Sequence, residues 1–241
     1  MKRLSFLILT LALISQAIPA RSQVLISLLF GEALNSDKIE FGLTGGYNRS
    51  YINDIEEAEG LNNFNLGFYF NINMKGNSYL STGVLVKSTV GASGMQTYPI
   101  GDDSFDQIFE EAELIKKINY FHVPIMYHQR FQNRWYLEGG IQPALRSKAR
   151  DVFELNDFDG DLSYTRDTRD EYKRLDFGLI GGVGYKWKKE IKSLATGINY
   201  YYGLVNVSNL PGTTIKNSSF YLYARIPIGA GSKQNNQDKS Q

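Results

Sequence analysis

One stretch decides how the rest of the chain is interpreted. It spans residues 120–145 and reads YFHVPIMYHQRF, then QNR, then WYLEGGIQPAL. In the first arm, apolar side chains recur at every second residue, at Phe121, Val123, Ile125 and Tyr127. In the second arm, the same period holds for Trp135, Leu137, Ile141 and Leu145. A period of two is the period of a β-strand. The stretch therefore predicts a hairpin with one apolar face and one polar face.

The turn fixes the register of this hairpin. If Phe131 pairs with Trp135 across the QNR loop, the apolar faces of the two arms coincide, and His128 lies opposite Glu138. A slip of one residue would place Glu138 among the apolar side chains. We therefore expect a well-specified register.

Composition limits the class of protein. The chain has 241 residues, and one domain is the default because single all-β barrels run to about 200–250 residues. Its 16 tyrosines and 14 phenylalanines favour strands over helices. A net charge of +1 gives no general argument for nucleic acid, and the absence of cysteine excludes disulfides and thiolate metal sites.

The N-terminus predicts export. Lys2 and Arg3 precede an apolar run at 4–14, and Ala20 and Ser22 fit the small positions before a cleavage site, so residues 1–22 are interpreted as a signal peptide. An uncleaved anchor is the alternative, although the run is shorter than the roughly 20 residues of a spanning helix. Residues 23–38 form a short N-terminal segment of unassigned role, and residues 229–241 form a polar tail.

Strand-type alternation recurs throughout residues 39–228 and predicts eight strands. The links between these strands are alternately long and short. Short turns at one end and long loops at the other are typical of an up-and-down outer-membrane β-barrel. We therefore predict an all-β fold, an eight-stranded antiparallel transmembrane β-barrel at 39–228.

Alternation alone does not say which face is outside, so a soluble lipocalin-like binding barrel is the competing interpretation. Two features favour lipid on the outside. The polar face holds charges of both signs, which are costly in a soluble core. The large aromatic side chains of the apolar face collect near the strand ends, at Tyr127, Trp135, Tyr185 and Trp187 on the turn side and Tyr47, Phe64, Tyr202 and Phe220 on the loop side. Bilayer interfaces select two such belts.

Four short motifs resemble the PorT-like outer-membrane β-barrel family. They are FGLTGG at 41–46, FHVPI at 121–125, LIGGVGY at 179–185 and YGLVNV at 202–207. The resemblance implies a barrel in the outer membrane of a Gram-negative cell and a possible link to protein secretion or surface assembly. The chain departs from the family pattern at His122 and His128, where an acid and a lysine are expected, and in its polar C-terminal tail.

The polar face supplies the candidate site. Its charged and imidazole side chains are Glu40, Lys87, His122, His128, Arg130, Glu138, Arg146, Arg174, Asp176, Lys186 and Arg225. The interior of an eight-stranded barrel is only wide enough for side chains to fill it. We expect these residues to form a polar plug, with His128 and Glu138 as a possible ion-pair switch.

Catalysis and cofactor binding have little support. Hydrolysis needs a base beside a nucleophile or water, and both histidines lie on one strand, with none in the external loops. The sequence DFDGD at 157–161 resembles the start of a calcium loop, but its glycine comes too early and Thr168 stands where the closing glutamate belongs. We expect a non-enzyme without metal or cofactor.

Two functions remain open from the sequence. The first is a scaffold or interaction barrel that docks envelope or secretion proteins. The second is a small transport or ligand-binding barrel whose lumen opens transiently. In both cases the expected surroundings are outer-membrane lipid, and the oligomeric state is undetermined.

Overall fold

A computed structural model describes residues 38–53, 58–157, 160–189 and 193–228, and these are mostly β-strand. The strands are β1 (Ile39–Asn53), β2 (Glu59–Lys75), β3 (Ser78–Lys87), β4 (Thr89–Met95), β5 (Glu113–His122), β6 (Ile125–Arg130), β7 (Trp135–Asp157), β8 (Gly160–Asp167), β9 (Leu175–Lys186), β10 (Ala195–Gly203) and β11 (Lys216–Pro227). A short helix, α1 (Asp103–Ile108), and a 3-10 turn at Arg169–Glu171 lie between strands. In these ranges no helix is long and apolar enough to cross a membrane.

The signal peptide predicted at 1–22, most of the N-terminal segment and the tail from residue 229 lie outside the described residues. So do Phe158 and Asp159, at the centre of the stretch that resembles a calcium loop.

The strands form one antiparallel sheet that closes on itself. The ring runs β1, β2, β3, β6, β7, β9, β10, β11 and back to β1. Its closing pair extends from Gly42 opposite Pro227 to Asn53 opposite Lys216. The prediction of an all-β antiparallel barrel is confirmed.

The sequence predicted eight strands, and the described residues form eleven. Ser88 separates β3 from β4, and Val123 and Pro124 separate β5 from β6. Proline lacks the backbone N–H that a continuous ladder needs. The third additional strand, β8, pairs with β7 alone and lies in a stretch that the sequence assigned to a loop.

The predicted long links are largely folded. They contain β4, α1, the start of β5, the second half of β7 and β8. Their apolar side chains form a separate core with residues of the β10–β11 link, including Val90, Ile118, Phe153 and Val207, each no more than 1% exposed. We call this region the loop-end cap; it comprises residues 89–118, 148–157, 160–172 and 205–215.

The predicted hairpin register is confirmed. His128 lies opposite Glu138, and Met126 lies opposite Gly140. The Phe131 backbone N–H donates to the Trp135 carbonyl at 2.8 Å, which closes the turn.

The apolar face of the ring points outward. Leu137 is 53% exposed, whereas its neighbours Tyr136 and Glu138 are 1% and 5% exposed. Among the predicted belt residues, Tyr47, Phe64, Tyr127, Trp135, Trp187, Tyr202 and Phe220 are between 42% and 57% exposed. The ring thus has an apolar surface and a polar interior.

A β-bulge exchanges the two faces of β7. Ser147 is an extra residue that has no partner on β5. On the turn side of Ser147 the even-numbered residues point inward, and on the loop side the odd-numbered residues do. Ala149 and Phe153 are therefore buried, while Lys148 and Arg150 are exposed.

Candidate functional site

A buried carboxylate near the turn end, Glu40 of β1, organises the first polar cluster. Arg130 and Lys186 both donate to its Oε2 atom, at 2.8 and 3.2 Å. Tyr69 and Asn71 donate to its Oε1 atom, at 2.9 and 3.2 Å. Glu40 is 2% exposed, so its charge is compensated by partners from β2, β6 and β9 instead of water.

A second carboxylate, Glu138 of β7, organises the neighbouring cluster. Arg225 binds both of its oxygens, at 2.7 and 3.1 Å. Asn199 and Tyr223 donate to Oε1 at 2.8 and 2.7 Å. Bidentate, charge-assisted hydrogen bonds are among the strongest that side chains form, so this cluster ties β7 to β10 and β11 across the lumen.

His128 joins the two clusters. Its Nε2 atom accepts a hydrogen bond from Arg130 Nε at 3.2 Å, so in the neutral ring Nδ1 carries the hydrogen. Nδ1 lies 3.2 Å from Glu138 Oε2 and donates to it. The imidazole stacks on Tyr136 at 4.3 Å between ring centroids, and Tyr79 meets it edge-on at 5.9 Å. Both the tautomer and the ring plane are thereby set by neighbours.

Two further predicted residues lie in the lumen but apart from these clusters. Asp176 accepts hydrogen bonds from Asn217 at 2.8 Å and from the Phe177 backbone N–H at 2.7 Å. His122 is fully buried beside Tyr120, and neither of its ring nitrogens has a hydrogen-bond partner in the described part of the chain.

Three predicted lumen residues lie elsewhere. Lys87 follows a bulge in β3 and pairs with the outward-facing Leu66, so it is exposed on the outside. Arg174 is exposed just before β9, and Arg146 is half-buried at the loop end of the ring, where its Nε donates to the Lys173 carbonyl at 3.3 Å. The period-two pattern misplaced them because it takes no account of bulges and strand ends.

Sequence reasoning also missed the uncharged members of the clusters. These are Tyr69, Asn71, Tyr79, Tyr136, Asn199 and Tyr223. Each of these side chains points inward on its strand. Strand alternation could therefore have identified them, but the prediction included only the charged residues and histidines of the polar face.

The space left between the side chains is small. A central cavity of about 40 Å³ is lined by Asn65, Gln142 and Asn199, among others. The amide oxygens of these three side chains have no hydrogen-bond partner among the described residues. Since one water needs about 10–15 Å³, the cavity has room for a few waters at most. In this conformation the lumen is filled by side chains.

The loop-end cap contains a buried polar cluster of its own. Asp151 is fully buried and binds Lys116 Nζ at 2.6 Å and the Tyr98 hydroxyl at 2.9 Å. Arg166 of β8 donates to the same hydroxyl at 2.9 Å. Burial and the adjacent Asp151 carboxylate raise the pKa of Tyr98 to about 12. The phenol therefore remains protonated at neutral pH and can both donate and accept.

The arrangement of these groups suits stability better than catalysis. His128 uses both nitrogens on Arg130 and Glu138, and among the described residues neither histidine is hydrogen-bonded to a hydroxyl that could act as a nucleophile. Within the described ranges, no group of three or more histidine or acidic side chains is placed to hold a metal ion. The clusters hold strands together through buried, paired charges.

Comparisons with known proteins identify a family and several similar solved structures. The family model described as outer membrane protein beta-barrel domain matches residues 26–209. Ail, the attachment invasion locus protein of Yersinia pestis, is 12% identical over 79% of this chain and 99% of its own, with a TM-score of 0.43. Neisserial surface protein A is 10% identical over 78% and 96%, with a TM-score of 0.39. OprG from Pseudomonas aeruginosa is 13% identical over 78% and 93%, with a TM-score of 0.34. Comparison with curated proteins gives no match.

Proposed function

The chain belongs to the outer membrane protein β-barrel domain family, and on that premise we propose that it is a non-enzymatic interaction barrel whose loop-end cap docks a partner protein. Its location in the cell outer membrane, predicted from the sequence, is confirmed. The partner and the mode of docking are the proposal.

The proposed topology has eight crossings, one for each strand of the closed ring. In this arrangement β4 and the first part of β5, up to Ile118, continue the ring strands outside the membrane, and β8 lies entirely outside. The exposed apolar face of the ring contacts lipid. The short turns then face the periplasm and the cap faces the cell exterior, as in other outer-membrane barrels.

The filled lumen supports interaction over transport. Glu40 and Glu138 each bind side chains from several strands, and the remaining cavity is about 40 Å³. Opening a path would require breaking several buried, charge-assisted hydrogen bonds at once.

The observation that carries the proposal is the free edge of β8. The cap is a folded structure with its own apolar core, and among the described residues β8 pairs with β7 on one side only. A strand edge presents unpaired N–H and C=O groups and is a template for a strand of another chain. Leu162 on this strand is 48% exposed, which adds an apolar contact beside the edge.

Protein secretion or surface assembly is the process in which we place such a partner. The ground for this is the resemblance of four strand motifs to the PorT-like family, a narrower group than the matched family.

Site-specific photo-crosslinking tests the docking. A photoreactive amino acid at Thr165 of β8 is expected to give a discrete protein adduct in cells, whereas the same group at Leu137, on the lipid-facing wall, is not. Leu162→Lys should weaken the adduct, because charged side chains, lysine above all, discourage pairing at strand edges. If Thr165 gives no adduct while the purified barrel gives stepwise currents in planar bilayers, the transport hypothesis replaces this one.

A further inference from the structure

The turn end of the ring opens into a pocket of about 560 Å³ that we call the basic mouth. In the described part of the chain, every charged residue that lines it is basic, namely Arg130, Arg134, Lys186, Lys188 and Lys189. We propose that the basic mouth binds a phosphate group. Clefts lined by charges of one sign concentrate counter-ions of the other sign.

The charge balance of the pocket favours an anion. Glu40 lies beneath it and accepts hydrogen bonds from both Arg130 and Lys186 through a single oxygen. Arg130 and Lys186 are thus held at the base of the pocket by this carboxylate, and the positive charge open to a ligand comes from Arg134 and the rim. Lys188 and Lys189 are exposed at the rim, where they add two further positive charges.

Arg134 occupies a conformation that another residue would adopt more easily. Its φ is 75°, and among the described residues it alone has a positive φ without being glycine. Glycine or asparagine would fit this turn position at lower cost. Strain of this kind persists at binding sites, where the side chain is needed at that position.

The environment of Arg134 holds its guanidinium at the pocket. The group lies over the Tyr185 ring, 4.9 Å from the centroid, and NH1 donates to the Trp187 carbonyl at 3.1 Å. Among the described residues, no carboxylate pairs with Arg134. A planar guanidinium recognises phosphate through two parallel hydrogen bonds, and nearby lysines add point charges.

The position of the pocket along the barrel axis suggests the source of the phosphate. Trp135 and Trp187 are exposed beside it, and such residues mark the level of lipid headgroups. The phosphate of an anionic phospholipid and that of a soluble phosphorylated compound share the same chemistry. The inference rests on the proposed function only in placing this mouth on the periplasmic side.

Titration of refolded protein in uncharged detergent micelles tests the proposal. The probes are inorganic phosphate and a short-chain phosphatidylglycerol, with phosphatidylcholine of equal chain length for comparison, measured by calorimetry at low salt. We expect saturable binding that weakens as salt is raised. Lys188→Gln and Lys189→Gln should each raise Kd about fivefold, as about 1 kcal/mol per basic side chain predicts.

Two variants separate binding from folding. Arg134→Asn should weaken binding by a similar factor while leaving thermal stability unchanged or higher, because it relieves the backbone strain. The control is Lys148→Gln combined with Arg150→Gln, which removes two exposed charges from the cap and should leave Kd unchanged.

The outcomes are distinct. Binding of phosphatidylglycerol alone assigns the site to a lipid headgroup, and binding of inorganic phosphate as well assigns it to phosphate in general; both support the proposal. Absence of saturable binding by the folded protein, or an equal loss in the cap control, overturns it. Because crosslinking at β8 is independent of this titration, either proposal can fail alone.

Discussion

The closed ring and the loop-end cap bury opposite chemistry. In the ring, Glu138 is 5% exposed while Leu137, its neighbour on the same strand, is 53% exposed. In the cap, Phe153 is fully buried while Lys148 and Arg150 face outward. Each arrangement matches its surroundings, since hydrocarbon favours apolar surfaces and water favours charged ones. In the proposed topology, the position at which the chemistry reverses is where the protein leaves the membrane.

Both arrangements occur on a single strand. β7 runs from Trp135 through the ring into the cap without interruption. Apolar residues occupy odd positions on both sides of Ser147, at Leu145, Ala149 and Phe153, with Asp151 as the charged exception. Because of the one-residue bulge at Ser147, side chains at odd positions point outward before it and inward after it.

Deletion of Ser147 should have the largest effect on the difference between ring and cap in which side chains are buried. Without the extra residue, Lys148 and Arg150 would point into the cap core and Phe153 would point into water. Each unpaired buried charge costs several kcal/mol, more than a small cap core can offset. We expect the cap to unfold while the ring remains, seen as rapid proteolysis of residues 89–118 with retained heat-modifiable migration.

The matched control keeps the bulge. Ser147→Ala removes only a hydroxyl that donates to the Asn119 carbonyl at 3.2 Å, and it should leave proteolysis nearly unchanged. If the deletion behaves like this substitution, the bulge does not set the faces of the cap.

The same bulge explains how far the sequence could predict the fold. Period-two alternation was sufficient for most of the ring strands and for the register at His128 and Glu138, because no bulge lies between Ile125 and Leu145 on either arm. It failed at Lys87, where the β2–β3 pair contains a bulge. The cap was assigned to loops because the parity change at Ser147 has no signature in composition. Its core is also assembled from side chains far apart in sequence, such as Val90 and Val207.

The candidate site could also be predicted only in part, because strand alternation was again the only information used. Charged residues on the inward face were found from parity, and the structure links Glu40, His128, Arg130, Glu138, Lys186 and Arg225. Lys87, Arg146 and Arg174 were misplaced because they lie at bulges or strand ends. Distances across a barrel depend on how it closes, and one strand's pattern does not contain that information.

Removing the central carboxylate of the ring should have the next largest effect. Glu138→Ala leaves the Arg225 guanidinium buried without its anion and removes an acceptor from Tyr223 and Asn199. Breaking a buried ion pair costs about 3–5 kcal/mol, and we expect about 4 kcal/mol here. The free energy of unfolding in urea, measured in micelles, checks this.

A carboxylate of the cap provides the comparison. Glu171 lies 3.5 Å from Arg166, and both side chains are partly exposed. Glu171→Ala should cost about 0–1 kcal/mol, since water replaces the lost partner. Similar losses in the two variants would mean that the lumen is wetter than the packing of its side chains indicates.

Truncation of an aromatic side chain tests the apolar half of the comparison. Phe153→Ala creates a cavity among Tyr98, Phe109 and Tyr164 and should cost the cap about 3 kcal/mol. Hydrogen exchange should rise in the cap and stay unchanged in the ring. Phe177→Ala, on the lipid-facing wall, should leave cap exchange unaltered; faster exchange throughout the ring in the Phe153 variant would show that cap and ring unfold as one unit.

The smallest expected effect concerns the connection inside the ring. Glu40 and Glu138 are linked through Arg130 and His128, in a relay of hydrogen bonds between 2.8 and 3.2 Å. We expect Glu40→Gln and Glu138→Gln together to lose about 0.5–1 kcal/mol less than the sum of the single losses, because the first change already breaks the relay. His128→Phe keeps a ring against Tyr136 but removes both hydrogen bonds, so in that background the coupling should fall below about 0.3 kcal/mol. Coupling that survives the loss of His128 would mean that the two carboxylates interact directly through the low-dielectric lumen, and the histidine would then be a packing residue with no part in joining the clusters.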